Sequence, residues 1–498
     1  MAHDLLVEPI LSWRDAQRRR SKTTLPGLLA RLGSGELGDF PRVRTHQLDP
    51  WCMFLTQLAA IALHRAGQSD PRISDDAWRD LLSALTNGAN EPWSLAIADL
   101  SKPALFQPSI PEGKIESWKI CESPDDIDVL ATAKGHDVKA GLMHGDEPEA
   151  WVYALCTLQT MQGYPGRGYN RVARMNGGYG NRARVGLAAN QFLSSRFLRD
   201  VVVLIELWPA LLRRGYRDGG LALVWTESWD GRTSLAMHDL APHFIEVCWR
   251  VRCRADGVRV SCLYTTTQAR RCLPEIDTGD VGDPWIPIER ATHKALTVGP
   301  NGLDYRLLTR LLFEGDFEPA AAQESRATDG DPVFFLASAL ARGQGKTEGL
   351  HERTLVLAGE VRRKLGELDG RAVLGRRASL RVASAATMRN KVLYPALKQL
   401  ALGGKLMPDD LDARVDDLFF DHLFQTLGMA DDDARLAFEQ LIAELGWGEL
   451  QRAIDRSGTA DARRLKAISD AERMFKACLK RAFPDAASAQ AISPGATS

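Results

Sequence analysis

The sequence lacks the signatures of the common hydrolases and of membrane proteins. Its 498 residues contain no HExxH motif, no GxSxG motif and no CxxC pair, so the usual zinc-protease, serine-hydrolase and thiol-redox sites are not indicated. The most apolar stretch, 201–212, is interrupted by Glu206 and Pro209 and is shorter than the roughly 20 residues that cross a bilayer. The N-terminus has no basic segment followed by an apolar run, as a signal peptide would. We therefore expect a cytoplasmic protein with no membrane association and no catalytic activity.

The eight cysteines are too widely spaced to indicate a zinc site clearly. Cys248, Cys253, Cys262 and Cys272 are separated by five, nine and ten positions, whereas structural zinc sites use close pairs with two to four intervening residues. Only Cys248 and Cys253 meet that limit, and the strand pattern between them places the two side chains on opposite faces. We expect buried, reduced thiols and no cofactor or metal, with a zinc site as the alternative.

Acidic residues are absent from the segment 150–199, where about six are expected because Asp and Glu make up 64 of the 498 residues. The segment includes the glycine clusters GYPGRGY and NGGYGN, with Tyr164, Tyr169 and Tyr179 between the glycines. It also carries seven arginines, namely Arg167, Arg171, Arg174, Arg182, Arg184, Arg196 and Arg199. Forked guanidinium groups, closely approaching glycine backbone and stacking tyrosine rings all suit a nucleic acid.

An alternative explanation of this segment invokes no ligand. The chain has a net charge of −1, so the residues outside the segment carry −8 once its seven positive charges are subtracted. Acids elsewhere in the fold are therefore available to neutralise these arginines. The sequence predicts either a nucleic-acid-binding loop or a glycine-rich surface loop whose arginines are paired within the protein.

Three further motifs carry residue types suited to binding or catalysis. GQGKT at 343–347 resembles the end of a phosphate-binding loop, but Leu340 stands where that motif needs its first glycine. A flexible polar turn that enters a DNA groove is the preferred interpretation. Lys134, His136 and Lys139 give the segment 131–141 a basic edge, which an ordinary surface loop also explains. The aspartates between 409 and 421 follow helical spacing, so we expect a solvated helix face rather than a metal nuclease.

The hydrophobic pattern changes near residue 350 and predicts two domains of an α+β protein. Residues 1–349 alternate short apolar runs with turns and a few helices, including helices at 49–66 and 74–85 and strands at 221–225, 244–251 and 258–264. This pattern predicts a large irregular mixed domain. Residues 350–483 show sustained amphipathic spacing with short glycine-containing loops, which predicts an antiparallel helical bundle. The small polar tail, 484–498, is predicted to be disordered.

The order of these features resembles the CasA family, the large subunits of type I-E CRISPR surveillance complexes, over nearly the whole chain. The segments that carry the resemblance are LLVEPILSWRD (5–15), the helix at 49–66, PALFQ (103–107), the loop at 131–143, the glycine-rich loop at 163–169, HFIEVCWRV (243–251) and GQGKTEGLHERTL (343–355), which leads into the bundle. Each motif is only moderately specific, and their order and spacing carry the resemblance.

The resemblance implies a non-catalytic subunit that recognises a protospacer-adjacent motif (PAM) in double-stranded DNA and starts duplex opening. It implies four kinds of partner: a CRISPR RNA, the target DNA, the backbone, small and guide 5′-end-capping subunits of the complex, and a recruited or fused nuclease. The residues that it implies are Gly163, Gly166, Arg167 and Gly168 in the glycine-rich loop, Gln344, Gly345 and Lys346 in a wedge, Lys134, His136 and Lys139 near the guide, and Arg290 or Lys294 as a basic finger. The composition of the segment 150–199 adds Tyr169, Arg171 and Arg174 as candidate nucleic-acid contacts.

This sequence departs from the family pattern at two places. Pro165 and Arg167 interrupt the glycine run, and Gly345 occupies the second wedge position. Small backbone changes alter what is accepted in the degenerate minor groove, so the PAM sequence is left open. The sequence also allows two other functions: a stand-alone nucleic-acid-binding protein outside CRISPR systems, and a nucleotide-hydrolysing enzyme that uses GQGKT.

Overall fold

The computed structural model describes residues 3–128, 147–257, 259–343, 346–404, 406–457 and 462–489. The predicted guide-proximal residues Lys134, His136 and Lys139 and the wedge residues Gln344 and Gly345 lie outside these ranges. The chain forms two compact units. The N-terminal unit comprises 1–303 and 317–357, and the helical unit comprises 304–316 and 358–498. Small sheets and helices occur together in the first and helices dominate the second, so the predicted α+β class is confirmed.

Helices form the centre of the N-terminal unit. They are α1 (Leu25–Ser34), α2 (Thr45–Arg65), α3 (Asp75–Ala84), α4 (Pro148–Met161) and α5 (Leu193–Arg213). Almost every side chain of α2 after its first turn is buried, and the helix packs against α4 and α5. Ser74 caps α3, as its position before the apolar pattern predicts. Helix α2 begins at Thr45 rather than at the predicted Asp49, whose carboxylate accepts from Arg184 Nη1 at 2.7 Å.

Short strands surround these helices in several small sheets. Their bounds are β1 Leu11–Asp15, β2 Arg20–Thr23, β3 Leu37–Asp39, β4 Lys119–Cys121, β5 Arg184–Ala188, β6 Leu221–Leu223, β7 Leu235–Ala236, β8 Leu240–Ile245, β9 Arg250–Asp256, β10 Arg259–Thr265, β11 Cys272–Leu273, β12 Ile288–Glu289, β13 Lys294–Ala295, β14 Phe317–Glu318, β15 Val333–Gly343 and β16 Lys346–Leu357. The three-stranded sheets have the orders β2-β1-β3, β4-β10-β9, β13-β12-β14 and β16-β15-β5.

The prediction of one continuous strand at 244–251 is wrong, because the structure has two strands there. The chain leaves β8 after Ile245 and enters β9 at Arg250. Between them, the backbone N–H groups of Cys248 and Trp249 both donate to Gln159 Oε1 on α4, each at 2.8 Å. A buried side-chain amide therefore replaces a neighbouring strand as the hydrogen-bond partner of this segment.

The expectation that all cysteines are free thiols is wrong for one pair. Cys253 and Cys262 lie opposite each other on β9 and β10 and form a disulfide. Cys121 on β4 occupies the next position in the same row, and its thiol is free and buried. Cys248 is also a buried free thiol. Among the residues that the structure describes, no group of His, Cys, Asp or Glu is arranged to hold a metal ion.

Successive helices build the second unit. They are α6 (Tyr305–Thr309), α7 (Gly359–Gly366), α8 (Leu368–Thr387), α9 (Tyr394–Leu400), α10 (Asp409–Gln425), α11 (Asp431–Ser457), α12 (Ala462–Ala482) and α13 (Pro484–Ala489). The boundary predicted at 349–350 falls inside β16, because this strand pairs with β15 as far as Leu357. Disorder predicted from 484 onward is wrong for α13, where Ala486 is buried. No helix of the described residues is long and apolar enough to cross a membrane.

Candidate nucleic-acid interface

Two glycine-rich loops of the N-terminal unit interlock. We call residues 163–169 the first glycine loop and residues 176–181 the second. The backbone N–H of Tyr164 donates to the carbonyl of Gly178 at 3.0 Å. A Cβ at Gly163 would lie only 2.0 Å from the carbonyl oxygen of Gly180, so glycine is needed for this close approach. The two glycine clusters seen in the sequence therefore form one structure.

The second glycine loop is fixed to the hairpin formed by β12 and β13. Asn176 Nδ2 donates to the carbonyl of Ala295 at 2.7 Å, and Thr297 Oγ1 donates to Asn176 Oδ1 at 2.8 Å. Arg290 and Lys294 are exposed at the tip of this hairpin. Neither has an ion pair among the described residues. The predicted basic finger therefore lies close to the predicted glycine-rich loop.

The same loop also contacts the long hairpin of β15 and β16. The backbone N–H of Asn181 donates to the carbonyl of Leu340 at 3.0 Å. The strands stay paired as far as Gly343 and Lys346, three residues beyond this contact on β15, or roughly 10 Å at the usual rise of a strand. The fold thus brings together three segments that lie far apart in the sequence: the glycine loops, the β12–β13 hairpin and the β15–β16 hairpin at Leu340.

Most arginines of the acid-free segment do not face solvent. Arg174 is 3% exposed; its guanidinium donates to Glu246 at 2.6 Å and lies 3.1 Å from Asp283 and 4.1 Å from the centroid of the Phe244 ring. Arg182 donates to the same Asp283 at 2.7 Å. Burial lowers the pKa of Arg182 to about 10, which still leaves it charged at neutral pH. These two arginines therefore form ion pairs with carboxylates in the core.

Four more of the seven arginines are paired in the same manner. Arg184 bridges Asp49 and Asp200 at 2.7 and 2.9 Å, and Arg196 lies within 4 Å of both carboxylates. Although burial opposes it, the charges of Arg184 and Arg196 lower the pKa of Asp49. The other two pairs are Arg199 with Asp329 at 2.7 Å and Arg171 with Asp277.

Arg167 is the exception in this segment. Its side chain is exposed at the first glycine loop, with no ion pair among the described residues. The internal-pairing alternative therefore accounts for six of the seven arginines, including the predicted binding residues Arg171 and Arg174. Sequence reasoning missed the partners of these two arginines because Asp277 lies 106 positions from Arg171 and Glu246 lies 72 positions from Arg174.

The three tyrosines of the segment have different environments. Tyr169, a predicted binding residue, is partly buried, with its ring stacked on Trp249 at a centroid distance of 4.3 Å. Tyr164 and Tyr179, one on each glycine loop, are both 37% exposed, and their ring centroids are 5.9 Å apart. The surface around the glycine loops therefore offers two open rings together with the free cations Arg167, Arg290 and Lys294.

Comparisons with known proteins identify solved structures with a similar fold. No protein-family model matches the chain, and no curated protein matches it. Among solved structures, CRISPR-associated protein Cse1 from Acidimicrobium ferrooxidans is similar at 15% sequence identity and a TM-score of 0.62, covering 97% of this chain and 98% of that one. Thermus thermophilus CasA (Cse1) is similar at 14% identity and a TM-score of 0.63, covering 97% of this chain and 100% of that one.

A chain of a CRISPR RNA-guided surveillance complex is similar as well, at 15% identity and a TM-score of 0.57, with 95% of this chain and 99% of that chain covered. Identity at this level shows the fold and not the activity. The similarity spans both compact units rather than one of them. This chain has the fold of the Cse1 (CasA) proteins over nearly its whole length.

Proposed function

We propose that this protein is the non-catalytic large subunit of a CRISPR RNA-guided surveillance complex of the type I-E kind. In this role it recognises a PAM in double-stranded DNA and starts duplex opening, while guide pairing supplies the sequence specificity. A recruited or fused nuclease makes the cut. The observation that carries the proposal is the whole-length likeness to Cse1 structures, including a chain of a surveillance complex.

The meeting of three segments at one surface supports PAM recognition. The first glycine loop allows close backbone approach to a minor groove, because Gly166 and Gly168 have φ of 127° and 86° and present no side chain. The free cations Arg167, Arg290 and Lys294 suit DNA phosphates. Lys346 ends the hairpin that contacts the same loops. We propose Gln344 and Gly345 as the wedge and the 131–143 loop as the guide contact on the basis of the family resemblance.

The Asp-rich helix α10 offers little support for a nuclease. Asp412 pairs with both Arg306 and Arg389, and Asp416 accepts the backbone N–H of Tyr305 at 2.6 Å. Asp410 lies 3.6 Å from Arg456. Carboxylates that bind side chains and backbone of their own unit are held away from the shared, converging geometry of a two-metal site.

The decisive experiment measures PAM-dependent DNA binding by the assembled complex. We expect the chain to co-purify with a CRISPR RNA and further subunits, and to bind a matched target only beside a PAM. Gln344→Ala should lower target binding at least tenfold without changing assembly. Gln17→Ala, at an exposed position between β1 and β2, is the matched control and should bind as the unaltered complex does. Equal binding with and without a PAM would contradict the proposal.

A stand-alone DNA-binding role remains the second candidate. It requires the isolated chain to bind duplex DNA, with a log–log salt slope of about −0.9 per phosphate contacted. The internal pairing of six arginines argues against a large contribution of the segment 150–199 to this slope, since it leaves one of the seven, Arg167, for phosphate. A steep slope with no requirement for a CRISPR RNA would favour this candidate over the surveillance subunit.

A further inference from the structure

Tyr164 and Tyr179 form an unusual pair on the surface around the glycine loops. Each ring is 37% exposed, although large side chains in this unit are mostly buried. The rings lie 5.9 Å apart and are inclined by 56°, so they meet as an open corner rather than as a closed stack. Neither hydroxyl has a hydrogen-bond partner among the described residues. Each of the two residues thus keeps more than a third of its surface open to solvent.

The backbone beneath the pair is held firmly. Tyr164 N–H donates to the carbonyl of Gly178, and a Cβ at Gly163 would clash with the carbonyls of Gly180 and Tyr179, at 2.0 and 2.9 Å. Asn176 and Thr297 then tie the second loop to the β12–β13 hairpin. A preorganised aromatic surface loses little conformational freedom when a ligand binds.

The size of the pair decides which form of DNA it can accept. Each ring is about 3.5 Å thick, so two rings with centroids 5.9 Å apart span roughly 9 Å. The minor groove of B-DNA is about 6 Å wide, so the two rings cannot enter it side by side across its width. An unpaired base, in contrast, can stack on one ring and place its edge against the other.

The charges around the corner agree with a nucleic-acid ligand. Arg167 follows Tyr164 on the first glycine loop, and Arg290 and Lys294 lie on the adjoining hairpin. The nearby acid Asp277 is already paired with Arg171 and Arg270. A base in the corner would therefore have free cations close to its phosphates.

We propose that Tyr164 and Tyr179 form a stacking corner for the first displaced-strand nucleotide released beside the PAM. This inference rests on the proposed function. The target strand pairs with the guide as it opens, so the displaced strand supplies the unpaired base. Asn181, two residues after Tyr179, contacts Leu340 of the hairpin proposed to open the duplex. Capture of this base opposes re-pairing and drives opening forward.

The test uses the assembled complex and a duplex that carries 2-aminopurine at the first displaced position. The fluorescence of this base is quenched on stacking. We expect Tyr164→Ala/Tyr179→Ala to raise its fluorescence in the opened complex and to slow opening about tenfold, in line with the loss of one stacked base. Tyr164→Phe/Tyr179→Phe keeps both rings and should behave as the unaltered protein. Phe192→Ala removes an exposed ring, 71% accessible, outside both glycine loops, and serves as the control.

A second substrate separates stacking from a structural role of the rings. On DNA with an abasic site at the same displaced position, the unaltered complex and the double Ala variant should open at equal rates, because neither has a base to capture. If the Ala variant is slower by the same factor on intact and abasic DNA, or opens intact DNA at the normal rate, the corner does not bind a base. Failure of the proposed function gives a different result, since the unaltered complex would then open DNA regardless of the PAM.

Discussion

At the level of single residues, the same side-chain type has two distinct uses within one segment. Arg174 and Arg167 are seven positions apart, yet one is buried between two carboxylates and the other is exposed on a glycine loop. A count of charged residues along the sequence does not distinguish the two arginines. Burial and partner geometry separate them, because a guanidinium already bound to carboxylates has few donors left for phosphate.

These two arginines should respond differently to substitution. Arg174→Ala leaves Glu246 without its ion-pair partner in the core, and we expect a loss of about 3–5 kcal/mol in the free energy of unfolding. Arg167→Ala should leave stability within about 0.5 kcal/mol and make the log–log salt slope of DNA binding shallower by about 0.9. Urea unfolding and binding at several salt concentrations measure the two effects. A stable Arg174→Ala protein with a shallower slope would instead make Arg174 a DNA contact.

At the level of elements, helix α11 contains an acid whose protonation is linked to folding. Glu449 is 6% exposed, and its Oε2 has no hydrogen-bond partner in the part of the chain that the structure describes. Burial, aided by the negative charge of Asp410, raises its pKa to about 7. The unfolded chain has the ordinary value near 4.5. The folded state therefore holds an extra proton between these pH values, and the resulting stabilisation is lost as pH rises through 7.

Glu449→Gln should remove this pH dependence. We expect the free energy of unfolding of the unaltered protein, relative to the variant, to fall by about 1–3 kcal/mol between pH 5 and pH 8. Burial also lowers the pKa of His422 in this unit to about 4, which acts in the opposite direction below pH 6.5, so the variant must be compared at each pH. Glu444→Gln, at an exposed position on the same helix, is the matched control. Parallel pH profiles for Glu449→Gln and the unaltered protein would contradict the assignment.

At the level of the whole molecule, the chain order and the compact units do not coincide. Residues 304–316 belong to the helical unit, while 317–357 return to the N-terminal unit. Tyr305, fully buried, packs its ring 4.8 Å from that of Phe419 on α10, and Leu308 is buried as well. A boundary drawn at the change of hydrophobic pattern therefore omits part of the helical core.

A fragment with the boundary predicted from the sequence should be markedly unstable. A fragment of residues 350–489 lacks Tyr305 and Leu308, and the loss of these buried side chains should cost at least about 4 kcal/mol. Joining 304–316 to residue 358 through a short flexible linker should restore cooperative urea unfolding. Equal unfolding midpoints for the two fragments would show that the segment 304–316 is dispensable for this unit.

The sequence by itself determined the α+β class, the change to helices near 350 and the main helices, because these depend on local periodicity and capping. It also located the two glycine loops, since glycine acts on the backbone locally. Tertiary structure alone decided which arginines are neutralised, which tyrosines are exposed and that three distant segments share one surface. Many of those outcomes depend on partners far away in the sequence, such as Glu246, 72 positions from Arg174, and Asp329, 130 positions from Arg199. The identity of a residue does not reveal what the folded chain places against it.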